Sequence, residues 1–307
     1  MLSYQCFRKT AAVFFFALAG CAEPRQESFP ASAVESPAAE ATEIPTATET
    51  PGWKEVFRTE SVNSYSPLVA GFLDETRGIT VGVSGEMHYS EDGGKTWSRG
   101  ENESTCRFGL EIVDASLAWS VGNTSQVRVT RDGGKTWQAV ANTPWKAHLV
   151  AFVDSKAGWA ASLSHLAGTA DGGNAWTEIS LPEGVKKIAA IDRNEDAGYL
   201  LDDKGVLHVT QDGGATWMEK QLPVEKPILV GDNLPLAVLR FADPGRGVAV
   251  FSPDKSGGVL ISLSTSDGGD TWVESTVPVK LGALFLTHDA RFLTVLGGDG
   301  RIRLLRY

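Results

Sequence analysis

The sequence predicts an all-β fold, a six-bladed β-propeller, from three features. An eight-residue signature, Ser/Thr-x-Asp-Gly-Gly-x-Thr-Trp, occurs five times, once with alanine for its threonine. Short apolar segments of strand length precede each copy, and most copies lie about 40 residues apart. The composition, with 33 glycines and 9 tryptophans in 307 residues, suits many short strands joined by tight turns.

Residues 1–20 read as a lipoprotein signal peptide. Arg8 and Lys9 give a positive start, and residues 11–19, AAVFFFALA, form an apolar run. That run is too short for a membrane-spanning helix, which needs about 20 residues. Leu18-Ala19-Gly20-Cys21 resembles a bacterial lipobox. The resemblance implies cleavage before Cys21 and acylation of its thiol and often its new amine. Two or three acyl chains anchor stably where one holds only marginally. Ala22 follows the cysteine, which in a diderm cell implies the outer membrane. Residues 21–51 comprise the lipidated cysteine and a tether; residues 22–51 contain five prolines, six glutamates and one arginine. Such a stretch cannot bury enough apolar surface to fold, and its mean reach is about 30 Å. The expected location is the cell envelope, lipid-anchored and extracytoplasmic. With Cys6 removed and Cys21 acylated, Cys106 is left as a small, partly buried residue in a domain without a disulfide.

Residues 52–307 hold the repeats. The copies are SEDGGKTW at 90–97, TRDGGKTW at 130–137, TADGGNAW at 169–176, TQDGGATW at 210–217 and TSDGGDTW at 265–272. Asp92, Asp132, Asp171, Asp212 and Asp267 are expected to accept backbone N–H bonds within a turn. The glycines supply positive φ. Trp97, Trp137, Trp176, Trp217 and Trp272 then close over the turn and pack between sheets. A looser repeat precedes each box, an apolar strand ending in an acid: Asp74, Asp114, Asp154, Asp192 and Asp243. A second strand starts about four residues later, often at a glycine, and a third leads into the box. After Trp272 three strands follow without a box, and the missing fourth is expected from Gly52-Trp53-Lys54-Glu55-Val56-Phe57. That strand would close the ring and leave no open sheet edge. Six blades result; seven is the alternative count.

The box spacings are 40, 39, 41 and 55. The extra length in the last falls within residues 217–243 and 252–258, in loops expected on the face opposite the boxes. Function tends to sit on elaborated loops over a rigid scaffold. The innermost strands should line a central funnel with Gly71, Glu111, Ala151, Ala189, Arg240 and Phe285. Glu111 and Arg240 come from opposing blades. Nearer the mouth stand Arg107, Lys146, His148, Lys186 and Lys187, with Tyr65 and Trp145 beside them. A cationic, aromatic mouth on an acidic chain suggests an anionic ligand or an acidic segment of a partner. Solvated charges at the starts of strands are the bland alternative.

The boxes resemble the Asp-box, or bacterial neuraminidase repeat, of β-propellers. The full blade pattern, acid, Gly-Trp, then Thr-x-Asp-Gly-Gly-Lys-Thr-Trp, covers nearly all of 52–307. It resembles the photosystem II stability and assembly factor family and its bacterial relatives. That resemblance implies a non-enzymatic protein-binding scaffold or assembly factor for a membrane complex. The alternatives are a glycan-binding protein or a sialidase-like glycoside hydrolase. Sialidases carry an Arg-Ile-Pro motif and an arginine triad, whereas Arg58 here precedes Thr59-Glu60 and only Arg107 and Arg240 fall in the funnel. A paired-carboxylate glycosidase needs two acids, and the funnel supplies only Glu111 unless loop acids approach. The net charge of −10 disfavours nucleic acid as a partner. His88 and His208 fall at equivalent third-strand positions and form no metal set, and no cofactor is expected.

Overall fold

The structure, a computed structural model, describes residues 52–59, 67–102, 105–231, 235–253, 259–280 and 282–307. Cys21, Tyr65 and the segments 1–20 and 21–51 lie outside the described residues. Every regular element described is a β-strand. The first, β1 (Lys54–Arg58), belongs to the last blade. Blade 1 is β2 (Pro67–Phe72), β3 (Gly78–Gly82), β4 (Glu86–Ser90) and β5 (Ser98–Asn102). Blade 2 is β6 (Arg107–Ile112), β7 (Ala118–Gly122), β8 (Gln126–Thr130) and β9 (Gln138–Asn142). Blade 3 is β10 (Leu149–Phe152), β11 (Gly158–Ala161), β12 (Leu166–Thr169) and β13 (Thr177–Ile179). Blade 4 is β14 (Ile188–Arg193), β15 (Gly198–Asp202), β16 (Val206–Thr210) and β17 (Met218–Gln221). Blade 5 is β18 (Ala237–Phe241), β19 (Gly247–Phe251), β20 (Val259–Thr265) and β21 (Val273–Lys280). Blade 6 is β22 (Gly282–Leu286), β23 (Phe292–Gly297) and β24 (Ile302–Arg306), with β1 paired antiparallel outside β24. The inner strands β2, β6, β10, β14, β18 and β22 touch in that order and β22 returns to β2. The ring therefore has six blades, not seven.

Each box is a self-contained hydrogen-bonded turn. The aspartate Oδ1 accepts the N–H four residues on, at 2.8–2.9 Å in all five copies. Its Oδ2 accepts the threonine hydroxyl at 2.6 Å in the four copies that have one; Ala175 supplies only its N–H. The leading Ser/Thr hydroxyl accepts the N–H of the second glycine. Both glycines of every box have φ between 74° and 97°, a region that costs any residue with a Cβ about 1–2 kcal/mol. Trp97, Trp137 and Trp272 donate Nε1–H to the carbonyl of their own second glycine.

These bonds make stability acid-sensitive. The Thr96 hydroxyl and N–H hold the Asp92 carboxyl down to about 2. Burial opposes ionisation of Asp74, yet bonds from Thr76 and Arg77 hold it down to about 2 as well. A carboxyl depressed on folding contributes stability above its unfolded value and loses it as pH falls through the folded one. Unfolding midpoints are expected to fall first as pH drops below about 6.5, where burial holds His88 and His208 down while the unfolded chain takes up their protons. They should fall further between about pH 5 and about pH 2 as these carboxyls titrate. A midpoint unchanged across that window would remove these carboxylates as stability carriers.

The box and the first turn of its blade share one face. The N–H groups of Gly93, Gly133, Gly172 and Gly268 donate to Thr76, Ser116, Lys156 and Gly245 in those first turns. There Asp74, Asp114, Asp154 and Asp243 each accept two backbone N–H groups. Blade 4 departs from the expected pattern. Its capping residue is Asn194, which accepts the N–H of Asp196 and Ala197, and not Asp192. The bond closing this turn, Asn194 N–H to Ala197 carbonyl, spans one residue fewer than Val153 to Ala157 in blade 3.

Aromatic seams join blades. Trp119 of blade 2 stacks on Phe152 of blade 3, centroids 3.8 Å apart and planes at 5°. Tyr199 of blade 4 stacks on Phe241 of blade 5 at 4.0 Å and 1°. Between blades 3 and 4, Arg193 takes the position of Phe152 and covers Trp159. Trp53, without a box of its own, is buried and donates Nε1–H to Ser262 of blade 5 at 2.9 Å. Its ring lies 5.1 Å from Tyr307, whose N–H bonds to Arg291 in the first turn of blade 6. The described chain thus begins on the box face. Cys106, expected to stand without a disulfide, is buried and disulfide-bonded, with its partner outside the described residues.

Candidate functional site

Six inner-strand positions form one level of the central channel. Each lies across from a residue near the start of its second strand: Gly71 from Ile79, Glu111 from Trp119, Ala151 from Trp159, Asp192 from Tyr199, Arg240 from Val248 and Phe285 from Thr294. In blade 4 the residue at this level is Asp192, not Ala189. Counting back from a terminal acid fails there, because the turn is one residue shorter and is capped by Asn194.

Arg240 gathers this level into a buried ion cluster. Its Nη2 pairs with Glu111 of the opposing blade, and its Nη1 donates to Asp192 Oδ1 at 2.6 Å. Its Nε donates to the Leu286 carbonyl at 3.0 Å, and Asp192 Oδ2 accepts the Phe241 N–H at 2.6 Å. His288 Nε2 stands 2.6 Å from Glu111 Oε1. Burial penalises the Glu111 charge, but Arg240 and His288 outweigh it and hold the carboxyl below its usual range. Burial likewise opposes the Arg240 charge, and Glu111 and Asp192 reverse that effect and raise it. Phe285 fills the space that Gly71 leaves, since a Cβ at 71 would lie 2.9 Å from its ring.

The channel is therefore spanned by its own side chains. A cavity of about 50 Å³ remains beside the cluster, walled by aliphatic groups such as Leu149, Val238 and Leu284 together with Glu111, Arg240 and His148. That volume suits a water or two and falls short of the roughly 300 Å³ at which ligand pockets begin. Glu111 and Arg240 are committed to each other.

The other expected residues part company. Arg107 is fully buried, donates Nη1–H to the Gln126 carbonyl at 2.8 Å, and is pulled down by burial to about 10. A bulge between Arg107 and Gly109 breaks the alternation that would have placed it at the mouth. His148 is half-buried, edge-on to Phe108, and lines the small cavity. Lys146, Lys186 and Lys187 are exposed on the face opposite the boxes. Trp145 is half-buried there, its ring edge-on to His165 at 5.5 Å. The long connector after β17 packs Leu222 and Ile228 over the β15–β16 turn, through bonds to Gly205 and Asp203. Beneath it lies a groove of about 400 Å³ lined by Pro223, Val224, Pro227, Phe251, Ile261 and Leu263 among others. The sequence reading did not single out Asp192, His288, His165 or Lys204 as site residues.

Ring, turns and channel together make this chain an Asp-box β-propeller. Residues 88–99 and 128–139 match the family model of the BNR/Asp-box repeat. No curated protein matches the chain in sequence. Among solved structures it is similar to YCF48 bound to a D1 peptide, at 18% identity and TM-score 0.53 over 86% of this chain and 97% of that one. It is similar to YCF48 from Cyanidioschyzon merolae, at 17% identity and TM-score 0.50 over 84% and 99%. The WD40 propeller domain of Doa1 superposes at 9% identity and TM-score 0.55 over 83% and 96%. At these identities the likeness is one of fold.

Proposed function

We propose that this chain is a lipid-anchored, extracytoplasmic binding protein, a scaffold or assembly factor that docks another protein of a membrane complex. The observation that carries the reading is the Arg240–Glu111–Asp192 cluster. It fills the channel where a propeller enzyme would hold substrate and moves the available chemistry to the outer surface of the loop face. Lys146, Lys186 and Lys187 are exposed on that face. A YCF48 structure with a bound D1 peptide is a precedent for peptide binding on this architecture, in the manner of a photosystem II assembly factor. The funnel acid that a glycosidase would need, Glu111, is engaged by Arg240 and His288.

Crosslinking the full-length lipoprotein in intact cells is expected to trap one recurrent membrane-protein partner. A clean monomer with no partner would overturn the scaffold reading in favour of a glycan or small-molecule binder. The anchor has its own test. Acylation of the Cys21 thiol and a disulfide from it to Cys106 exclude one another, and cleavage before Cys21 removes Cys6, the only other cysteine. The intact mass of membrane-extracted protein, without reductant, is expected to begin at an acylated Cys21. A chain that keeps Cys6, or carries Cys21 unacylated, would end the lipid-anchor proposal.

A further inference from the structure

Five side chains from neighbouring loops join Lys146 in a cationic strip across blades 3 and 4. The β11–β12 turn, residues 162–165, binds both sides of it. The Ala161 carbonyl before this turn accepts the His148 N–H at 2.7 Å, and the Leu163 carbonyl accepts the Ile188 N–H at 2.7 Å. Trp145 meets His165 edge-on. The Lys187 carbonyl accepts the Asp203 N–H, and Lys204 Nζ donates to the Gly184 carbonyl at 3.0 Å. Trp145, Lys146, His165, Lys186, Lys187 and Lys204 thus lie on one fixed surface, all exposed but the half-buried tryptophan. Asp202 is buried and accepts the N–H groups of Lys204 and Val206, which leaves the half-buried Asp203 and the exposed Glu183 as counter-charges to the four lysines.

Resting on the protein-binding reading, we propose that this strip docks an acidic, extended segment of the partner protein. Local excess positive charge on a chain of net charge −10 selects a negatively charged partner and steers its approach. Trp145 and His165 add an aromatic ledge of the kind that anchors interfaces. An anionic bilayer offers the same charge, but the described chain begins on the box face, opposite the strip.

The test uses the full chain and a labelled peptide of alternating glutamate and glycine, followed by fluorescence anisotropy at low salt. Binding is expected, with at least about a tenfold loss in the Lys186→Glu, Lys187→Glu double variant. The glutamine version of the peptide should bind at least about tenfold more weakly. Lys95→Glu, in a box turn on the other face, should match wild type. Equal binding of both peptides, or of wild type and double variant, would overturn the strip. So would phosphatidylglycerol vesicles that bind through these lysines while the peptide does not. If cell crosslinking still recovers the partner from the double variant at wild-type yield, the strip falls while the scaffold reading stands. If wild type recovers no partner, the scaffold reading falls.

Discussion

Arg240→Met is expected to lower the unfolding free energy by about 3–5 kcal/mol at neutral pH. The cost is not the value of the salt bridges themselves, because taking three charges out of water offsets much of their attraction. It comes from what the substitution leaves behind: Glu111 and Asp192, each about 1% exposed, without the cation that compensates them. Methionine roughly fills the volume, so the loss isolates charge from packing. The pH dependence then changes sign. In wild type Glu111 is held below its ordinary value, so it contributes stability above its unfolded pKa, and that is lost as pH falls through the folded one. In the variant Glu111 keeps the burial that raises it and loses its main opposing cause, Arg240, so its carboxyl should rise and stability should recover as pH falls from about 7 to about 5. Replacing all three charges, Glu111→Gln, Asp192→Asn and Arg240→Met, should restore most of the loss. Urea denaturation at both pH values checks this. A loss under about 1 kcal/mol, or a variant that weakens on mild acidification, would show that the cluster does not hold the ring.

How much of this was legible depends on how local the determinant is. The boxes could be read because aspartate, glycines, threonine and tryptophan act on one another within eight residues. The blade count followed from their spacing, and Trp53 marked the closing strand by matching the box tryptophans. Glu111 and Arg240 were found by alternation along a strand. Asp192 was not, because one deleted turn residue shifted the register; the signal was Gly198, which follows Asn194 by four residues and Asp192 by six. Arg107 was misplaced because a bulge defeats a period of two. His165 and Lys204 sit in short turns whose neighbours come from other loops, a juxtaposition fixed only when the ring closes. The groove beneath the long connector was legible only as extra length, since one wall is that connector and the other is blade 5.

Trp119→Ala is expected to cost about 3–5 kcal/mol and to test whether the seams, rather than the individual blades, carry stability. Trp119 has no exposed surface, and its ring lies flat on Phe152 of the next blade. A four-stranded blade buries its faces only against its neighbours, so opening one seam exposes two sheets. The ring closes through β1, which removes a free end from which blades could peel in turn. The loss should therefore appear as a lower midpoint of one cooperative transition with an unchanged denaturant slope. A double-mutant cycle with Phe152→Leu should leave a coupling of about 0.5–1.5 kcal/mol, the part due to ring stacking beyond buried area. The same cycle on Tyr199 and Phe241 should give a similar value, because the geometry nearly repeats. Coupling should be weaker between Trp159 and Arg193, where a half-buried guanidinium 5.8 Å away replaces the ring. A split transition in Trp119→Ala, with one set of blades melting early, would mean that blades fold as separate units and that closure by β1 does not couple them.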